Sequence, residues 1–297
     1  MNIETDAEYI VFVSSSGHCS LDCTYCIVNP IVKHQPTLSF EDIEYFLDNV
    51  QKKTALIFSG KGDYFAGYKK NEKQLARLLE RNVEIALDIN GVMIHEFVEL
   101  TEQQLNKIRH INLTMHYRQL VDKNALEVWR KNALILIDKK GDDDNFMLGT
   151  ILSPPENNLW EEALSFFEKA IFEPVGQKIV LIKDVNNPFN AVDEAKVSAL
   201  QAAFSHLITE VREEDFASRF KNHSHVLCPA GKTYFRIWND GSVQGCPYIP
   251  ALNDCGNIKA RRLEPRKNMF RCSEAKYCDC YTIAALGKMV FESPLQQ

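Results

Sequence analysis

Between residues 8 and 207, short runs of apolar and β-branched residues alternate with longer stretches whose apolar positions recur every three or four residues. The short runs have the length and composition of buried strands, and the longer ones have the period of amphipathic helices. The pattern predicts strands at Tyr9-Val13, Ala55-Phe58, Glu84-Asp88, Ile111-Thr114, Met147-Leu152 and Ile179-Ile182. A first helix should follow Ser39, with Ile43, Phe46, Leu47 and Val50 on one face and Asp42 where the acid of a capping box stands. Further helices are predicted near 72–81, 102–109, 122–138, 157–171 and 190–208, the first of them with Leu75, Leu78 and Leu79 on its apolar side. Strands alternating with helices build a parallel sheet, and six such units are fewer than the eight of a closed barrel. The expected fold is therefore α/β, a partial (β/α)6 TIM-like barrel.

Beyond 208 the pattern changes to a charged stretch, Glu210 to Lys221, and then to short β-prone runs with turn residues and clustered cysteines. Thr233 to Trp238 and Ser242 to Gly245 flank Asn239-Asp240-Gly241, and an Asp-Gly step between such runs predicts a hairpin. The chain accordingly divides into a barrel over residues 1–210 and a small C-terminal α+β unit over 211–297.

Composition narrows the function. At 297 residues, 45% hydrophobic and 25% charged, the chain has the make-up of a globular protein. The 34 Lys and Arg against 40 Asp and Glu leave a net charge of −6, the wrong sign for a nucleic-acid partner. No apolar run reaches the roughly 20 residues that span a bilayer, and the acidic start Met1-Asn2-Ile3-Glu4-Thr5-Asp6 is unlike a secretory signal. The expectation is a cytoplasmic protein with neither a membrane nor a nucleic acid as partner. Nine cysteines in such a chain point to metal ligation rather than disulfides. They fall in two groups, Cys19, Cys23 and Cys26 near the start and the remaining six from Cys228 to Cys280.

The first group follows the first strand in Ser14-Ser15-Ser16-Gly17-His18-Cys19-Ser20-Leu21-Asp22-Cys23-Thr24-Tyr25-Cys26. Three thiolates at this C-x3-C-x2-C spacing can hold three irons of a cubane and leave the fourth open to an exogenous chelator. A structural zinc site needs one more donor. His18 and His34 are at hand, so counting alone leaves zinc open.

This segment resembles the signature loop of the radical S-adenosylmethionine superfamily, C-x3-C-x-aromatic-C, placed after the first strand of a partial barrel. The resemblance implies that Cys19, Cys23 and Cys26 hold a [4Fe–4S] cluster, that its open iron is chelated by S-adenosylmethionine, and that Tyr25 lies by the adenine. One-electron reduction of the sulfonium would then release a 5′-deoxyadenosyl radical that abstracts a substrate hydrogen, the cofactor supplying the chemistry and the protein the orientation. The resemblance extends to Phe58-Ser59-Gly60-Lys61-Gly62-Asp63, where the family usually has Gly-Gly-Glu-Pro against the methionine ammonium. It implies cofactor contacts from Ser59, Gly60 and Gly62, and from Asp63, which stands one residue beyond the usual acid. Asp88-Ile89-Asn90-Gly91 is similar to the family's third-strand end and adds Asn90, while Thr114 and His116 end the fourth strand where ribose-facing or substrate-facing residues stand. Thr150 to Ser153 would flank the adenine.

The C-terminal cysteines resemble the twitch or SPASM-type extension of the same superfamily. Cys228, Gly241 and Cys246 match its opening C-x12-G-x4-C, followed by Gly256-Asn257-Ile258. Six thiolates are too few for two fully ligated cubanes. The single auxiliary [4Fe–4S] cluster is assigned to Cys228, Cys246, Cys278 and Cys280, with Cys272 as the substitute ligand and Cys255 as a buried free thiol. A zinc ribbon is the alternative for this region. The resemblance thus implies an enzyme that oxidises, cyclises or otherwise joins bonds in a small molecule or ribosomal peptide, fed by an electron donor such as flavodoxin or ferredoxin. The competing class is a non-enzymatic iron–sulfur electron carrier or a zinc-binding interaction protein.

Overall fold

The computed structural model describes residues 5–14, 18–23, 25–26, 38–59, 62–67, 73–141, 145–183, 192–213, 226–246, 254–271 and 290–291. Its centre is a parallel sheet of β1 (Tyr9–Ser14), β2 (Thr54–Ser59), β3 (Val83–Ile89), β4 (Ile108–Met115), β5 (Phe146–Leu152), β6 (Ile179–Lys183) and β7 (Ile208–Glu213), each strand beside the next. This is the expected α/β partial barrel. The six strands read from the pattern are all present, extended by one to three residues at their ends.

Two further strands join the parallel array, one outside the pattern and one expected only as half of a hairpin. β7 reads Ile-Thr-Glu-Val-Arg-Glu, charged at Glu210, Arg212 and Glu213, and among the described residues it pairs only with β6, so its outer edge is exempt from the apolar demand on a central strand. It also carries the sheet across the 210/211 division and into the charged stretch. After β8 (Val226–Cys228) comes β9 (Tyr234–Ile237), which with β10 (Val243–Gln244) forms the expected hairpin. β9 lies parallel to β1, Ile10 opposite Tyr234 and Val13 opposite Ile237, and so makes the eighth parallel strand among the described residues. Phe235 is fully buried there, 5.5 Å from the ring of Phe46 and 6.1 Å from that of Tyr9. Burying such a side chain contributes about 1.5–3 kcal/mol. The rest of the C-terminal region described is short: β11 (Gly256–Asn257) pairs with β12 (Arg262–Leu263), and β13 (Phe270–Arg271) and β14 (Val290–Phe291) flank β8.

The helices cover the outer face. α1 (Phe40–Val50) begins at Ser39, whose side chain accepts from the Asp42 N–H while the Asp42 carboxylate accepts from the Ser39 N–H, the capping box read from the sequence. Two short helices follow β2, α2 (Tyr64–Gly67) and α3 (Gln74–Leu79). Lys73 gives α3 no side-chain cap, and the carboxylate of distant Glu96, 4% exposed, accepts the Leu75 N–H at 2.7 Å instead. The helix expected over 102–109 is only α4 (Glu102–Leu105), because Ile108 already pairs with Ile85. The one expected over 122–138 is two helices, α5 (Tyr117–Asp122) and α6 (Leu126–Lys140), separated where Asn124 turns left-handed at φ 52°. That over 157–171 is α7 (Trp160–Phe167) continuing through a π turn, Glu168–Phe172, into α8 (Glu173–Val175). Pro174 has no N–H to give and crowds the preceding turn, which widens to admit it. α9 (Glu194–Ala203) stands for the helix over 190–208.

Candidate cofactor and cluster site

A parallel sheet delivers all its strand ends to one edge, and ligands of βα folds bind there. In this chain that edge carries the cysteine loop after β1, Gly62 and Asp63 after β2, Asn90 after β3, His116 after β4 and Thr150 to Ser153 at the end of β5.

The loop is tied down from both sides. On one side the Asp63 N–H donates to the His18 carbonyl at 2.7 Å. Asp63 itself is 2% exposed, and its two oxygens accept the N–H groups of Phe65 at 3.0 Å and Asn90 at 2.7 Å. Burial pushes its carboxyl up to about 6 against the pull of these N–H groups. Asn90 passes the linkage on, its amide donating to Ser20 Oγ at 3.1 Å and to Cys19 Sγ at 3.5 Å, and the Leu21 N–H reaches the same sulfur at 3.5 Å. N–H groups aimed at sulfur suit a thiolate that ligates iron. On the other side the Asp22 N–H donates to Gln119 Oε1 at 3.3 Å and the Asp22 carboxylate pairs with Lys123 at 2.7 Å, both from α5 and its end.

Tyr25 and His116 meet in this edge. The Tyr25 hydroxyl and His116 Nδ1 are 2.7 Å apart and the rings are stacked, centroids 5.8 Å apart and planes 26° apart. Burial holds His116 down to about 4, so the ring is neutral and carries one N–H. Burial pushes the Cys23 thiol up to about 12, the neighbouring Cys19 and Cys26 thiolates act in the same direction, and a hydrogen bond with Tyr25 opposes them. Cys19 and Cys23 are half-buried and Cys26 is exposed. Among the described residues no three His, Cys, Asp or Glu side chains are gathered as a single metal ion requires. Three cysteine sulfurs on one loop, with N–H donors on Cys19, would suit a cluster that takes one sulfur per iron.

The other residues singled out in the sequence are placed as follows. Gly62 has φ 101°, and a Cβ there would stand 2.2 Å from the His18 oxygen, so its missing side chain admits the cysteine loop. The Ser59 hydroxyl, expected to face the cofactor, donates to the Asp88 carboxylate. Thr114 is half-buried on β4, and Thr150 donates to the Met115 carbonyl at 2.8 Å. Gly60, Lys61, Thr24 and His34 lie outside the described residues. In the C-terminal region Cys228 and Cys246 are buried, and Cys255, 1% exposed, packs in the apolar core with Ile258. Cys272, Cys278 and Cys280 lie outside the described residues.

Four residues of this edge were not singled out as site residues. Asp88, Asn112 and Ser14 point inward from the strands, and Glu156 follows β5 with burial pushing its carboxyl up to about 7. For Asp88 a signal existed, a lone carboxylate between Leu87 and Ile89 in an apolar strand; for Glu156 none did.

Comparison with known proteins bears on the fold and on the family. The structures of anSMEcpe with bound AdoMet share the fold: the histidine-tagged form has a TM-score of 0.51 at 13% identity over 85% of this chain and 75% of that one, and the native form 0.51 at 15% identity over 91% and 88%. A search of the curated proteins finds no match. The family model of the Radical SAM superfamily matches residues 13–167, from β1 and the cysteine loop through α7. The chain belongs to the Radical SAM superfamily.

Proposed function

We propose that the protein is an S-adenosylmethionine-dependent radical enzyme in which Cys19, Cys23 and Cys26 hold a [4Fe–4S] cluster at the mouth of the partial barrel. The observation that carries this reading is the cysteine loop itself, clamped between Asp63–Asn90 and Gln119–Lys123 at the edge where the sheet receives ligands. When bound, the cluster would supply one electron to the sulfonium of S-adenosylmethionine, whose C5′–S bond would break to give methionine and a 5′-deoxyadenosyl radical for hydrogen abstraction. The chain's own part is to orient and to exclude water: Asn90 and the Leu21 N–H support the Cys19 sulfur, and the neutral His116 steadies Tyr25 as a flat wall for the adenine. Ser59, Gly60, Gly62, Asp63 and Thr114 complete the cofactor's surroundings, Gly62 and Asp63 by shaping the loop.

An auxiliary [4Fe–4S] cluster, held by Cys228, Cys246, Cys278 and Cys280 with Cys272 as substitute, would aid substrate oxidation or bond formation. The burial of Cys228 and Cys246 supports this, since buried thiols at strand ends are shielded ligands. The substrate is a small molecule or a ribosomal peptide, and flavodoxin or ferredoxin supplies the electron. Anaerobic iron and sulfide analysis, followed by reduction with S-adenosylmethionine, tests the reading. Release of 5′-deoxyadenosine from the wild type and none from Cys19→Ala, Cys23→Ala or Cys26→Ala is expected; cleavage surviving in the triple variant would refute it.

A further inference from the structure

The inner face of the sheet carries a polar row of which the cofactor reading uses only Ser59. Residues of a strand point alternately to opposite faces. Leu87 and Ile89 belong to the apolar core under the helices, so Asp88 between them faces the barrel interior, as does Asn112 between Ile111 and Leu113. Ser14 after Val13 and Ser59 after Phe58 face the same way. The register sets Ser14 beside Ser59 and Asp88 beside Asn112, and the Ser59 hydroxyl donates to Asp88 Oδ2. Four adjacent strands thus present one continuous row just beneath the cysteine loop. In closed barrels this interior is packed with branched apolar side chains.

Three buried oxygens of the row meet no donor: Ser14 Oγ, Asp88 Oδ1 and Asn112 Oδ1. Ser14 is 4% exposed. Leaving a buried polar atom unmatched is costly, and native folds rarely tolerate it without a purpose. All three atoms can accept, and two of them can only accept while Asp88 is ionised. The hydroxyls of Ser14 and Ser59 and the Asn112 amide can donate, but Asp88 Oδ1 and Asn112 Oδ1 remain acceptors without a donor, and the row carries one negative charge while Asp88 is ionised.

We propose that this row binds the substrate through a positively charged N–H group, a primary ammonium, an amidinium or a guanidinium, seated between Asp88 Oδ1 and Asn112 Oδ1, with a further polar atom of the substrate at Ser14. The inference rests on the radical-enzyme reading of the loop above it and names the substrate by class. A neutral hydroxyl satisfies one acceptor but leaves the buried carboxylate uncompensated, and an anion is repelled. Burial pushes the Asp88 carboxyl up, with hydrogen bonds from Ser59 and Asn112 pulling the other way, and a cation in the row would add to that pull.

The test uses the reconstituted protein with S-adenosylmethionine and four probes, n-propylammonium, acetamidinium, n-propanol and propionate, read by saturation-transfer NMR. Both cations should bind the wild type, and propionate should not. In Asp88→Asn and in Asn112→Ala the cations should bind at least about tenfold more weakly, a change of roughly 1.4 kcal/mol. Iron content and the far-UV spectrum identify folded variants, and two variants guard against the loss of one. Absence of cation binding to the wild type, equal binding in a folded variant, or propionate matching the cations would overturn the inference. S-adenosylmethionine binding to the same wild-type sample judges the radical-enzyme reading separately: if the cofactor binds and the cations do not, only the substrate inference falls.

Discussion

Gly62 lies so close to His18 that a Cβ on it would stand 2.2 Å from the His18 carbonyl oxygen. The glycine at the end of β2 is therefore required by the cysteine loop, whose backbone it lets through at φ 101°. A side chain here would push His18 and with it Cys19, the next residue.

Gly62→Ala should accordingly lose iron from the radical site, up to about four irons per chain, and lower S-adenosylmethionine binding as a consequence. Iron and sulfide analysis of the reconstituted variant checks this. Full iron with weakened cofactor affinity alone would show that the turn acts on the methionine moiety directly.

The 2.7 Å link between Tyr25 and His116 predicts a different pattern. Tyr25→Phe keeps the ring and loses the hydrogen bond, and His116→Ala loses the stacking partner as well. A net hydrogen bond contributes about 0.5–1.5 kcal/mol, so S-adenosylmethionine should bind the first variant roughly 2–13 times more weakly and the second no more tightly than the first. Iron content should be unchanged in both. Calorimetric titration of the cofactor gives the answer, and wild-type affinity in both variants would remove the pair from the site.

Asp63 predicts a pH dependence. Its carboxyl is raised from 3.8 to about 6 in the fold, so between these values the folded chain holds a proton that the unfolded chain does not. The resulting stabilisation is complete below about 3.8 and is lost as pH rises through about 6. Asp63→Asn should be less stable than wild type throughout, because one of the two backbone N–H groups then faces an amide nitrogen. The gap in melting temperature should narrow as pH rises from about 5 to about 7.5, across the folded-state value. A gap that widens over that range would mean that the carboxylate gains more from its N–H partners than burial costs it.

Cys246 and Cys255 are both buried, at 5% and 1% exposure, but only Cys246 belongs to the proposed auxiliary ligand set. Cys246→Ala should lower iron by about four per chain, make the segment from residue 226 onward protease-sensitive, and leave S-adenosylmethionine cleavage detectable without product. Cys255→Ala should keep its iron, since its thiol sits in the apolar core and burial pushes it up, away from the thiolate form. Equal iron losses in the two variants, or zinc at this site, would contradict the single-cluster assignment.

Features written in adjacent residues were legible without the structure. The strand and helix periods located β1 to β6, Ser39 and Asp42 announced the capping box, Asn239-Asp240-Gly241 announced the hairpin, and three cysteines on one loop pointed to the candidate site. Each rests on interactions between residues a few positions apart, where spacing and backbone preference suffice. Tertiary structure alone decided that β9 would lie beside β1, that Glu96 would cap α3 from 21 residues away, that Asp63 would turn inward to hold Asn90, and that Ser14, Ser59, Asp88 and Asn112 would form one row. The physical reason is that a period of two tells which residues of a strand share a face but carries no information about which strand comes next. That choice is made by burial of side chains such as Phe235 and by the hydrogen-bonding needs of buried polar groups, which are met wherever in the chain a partner stands.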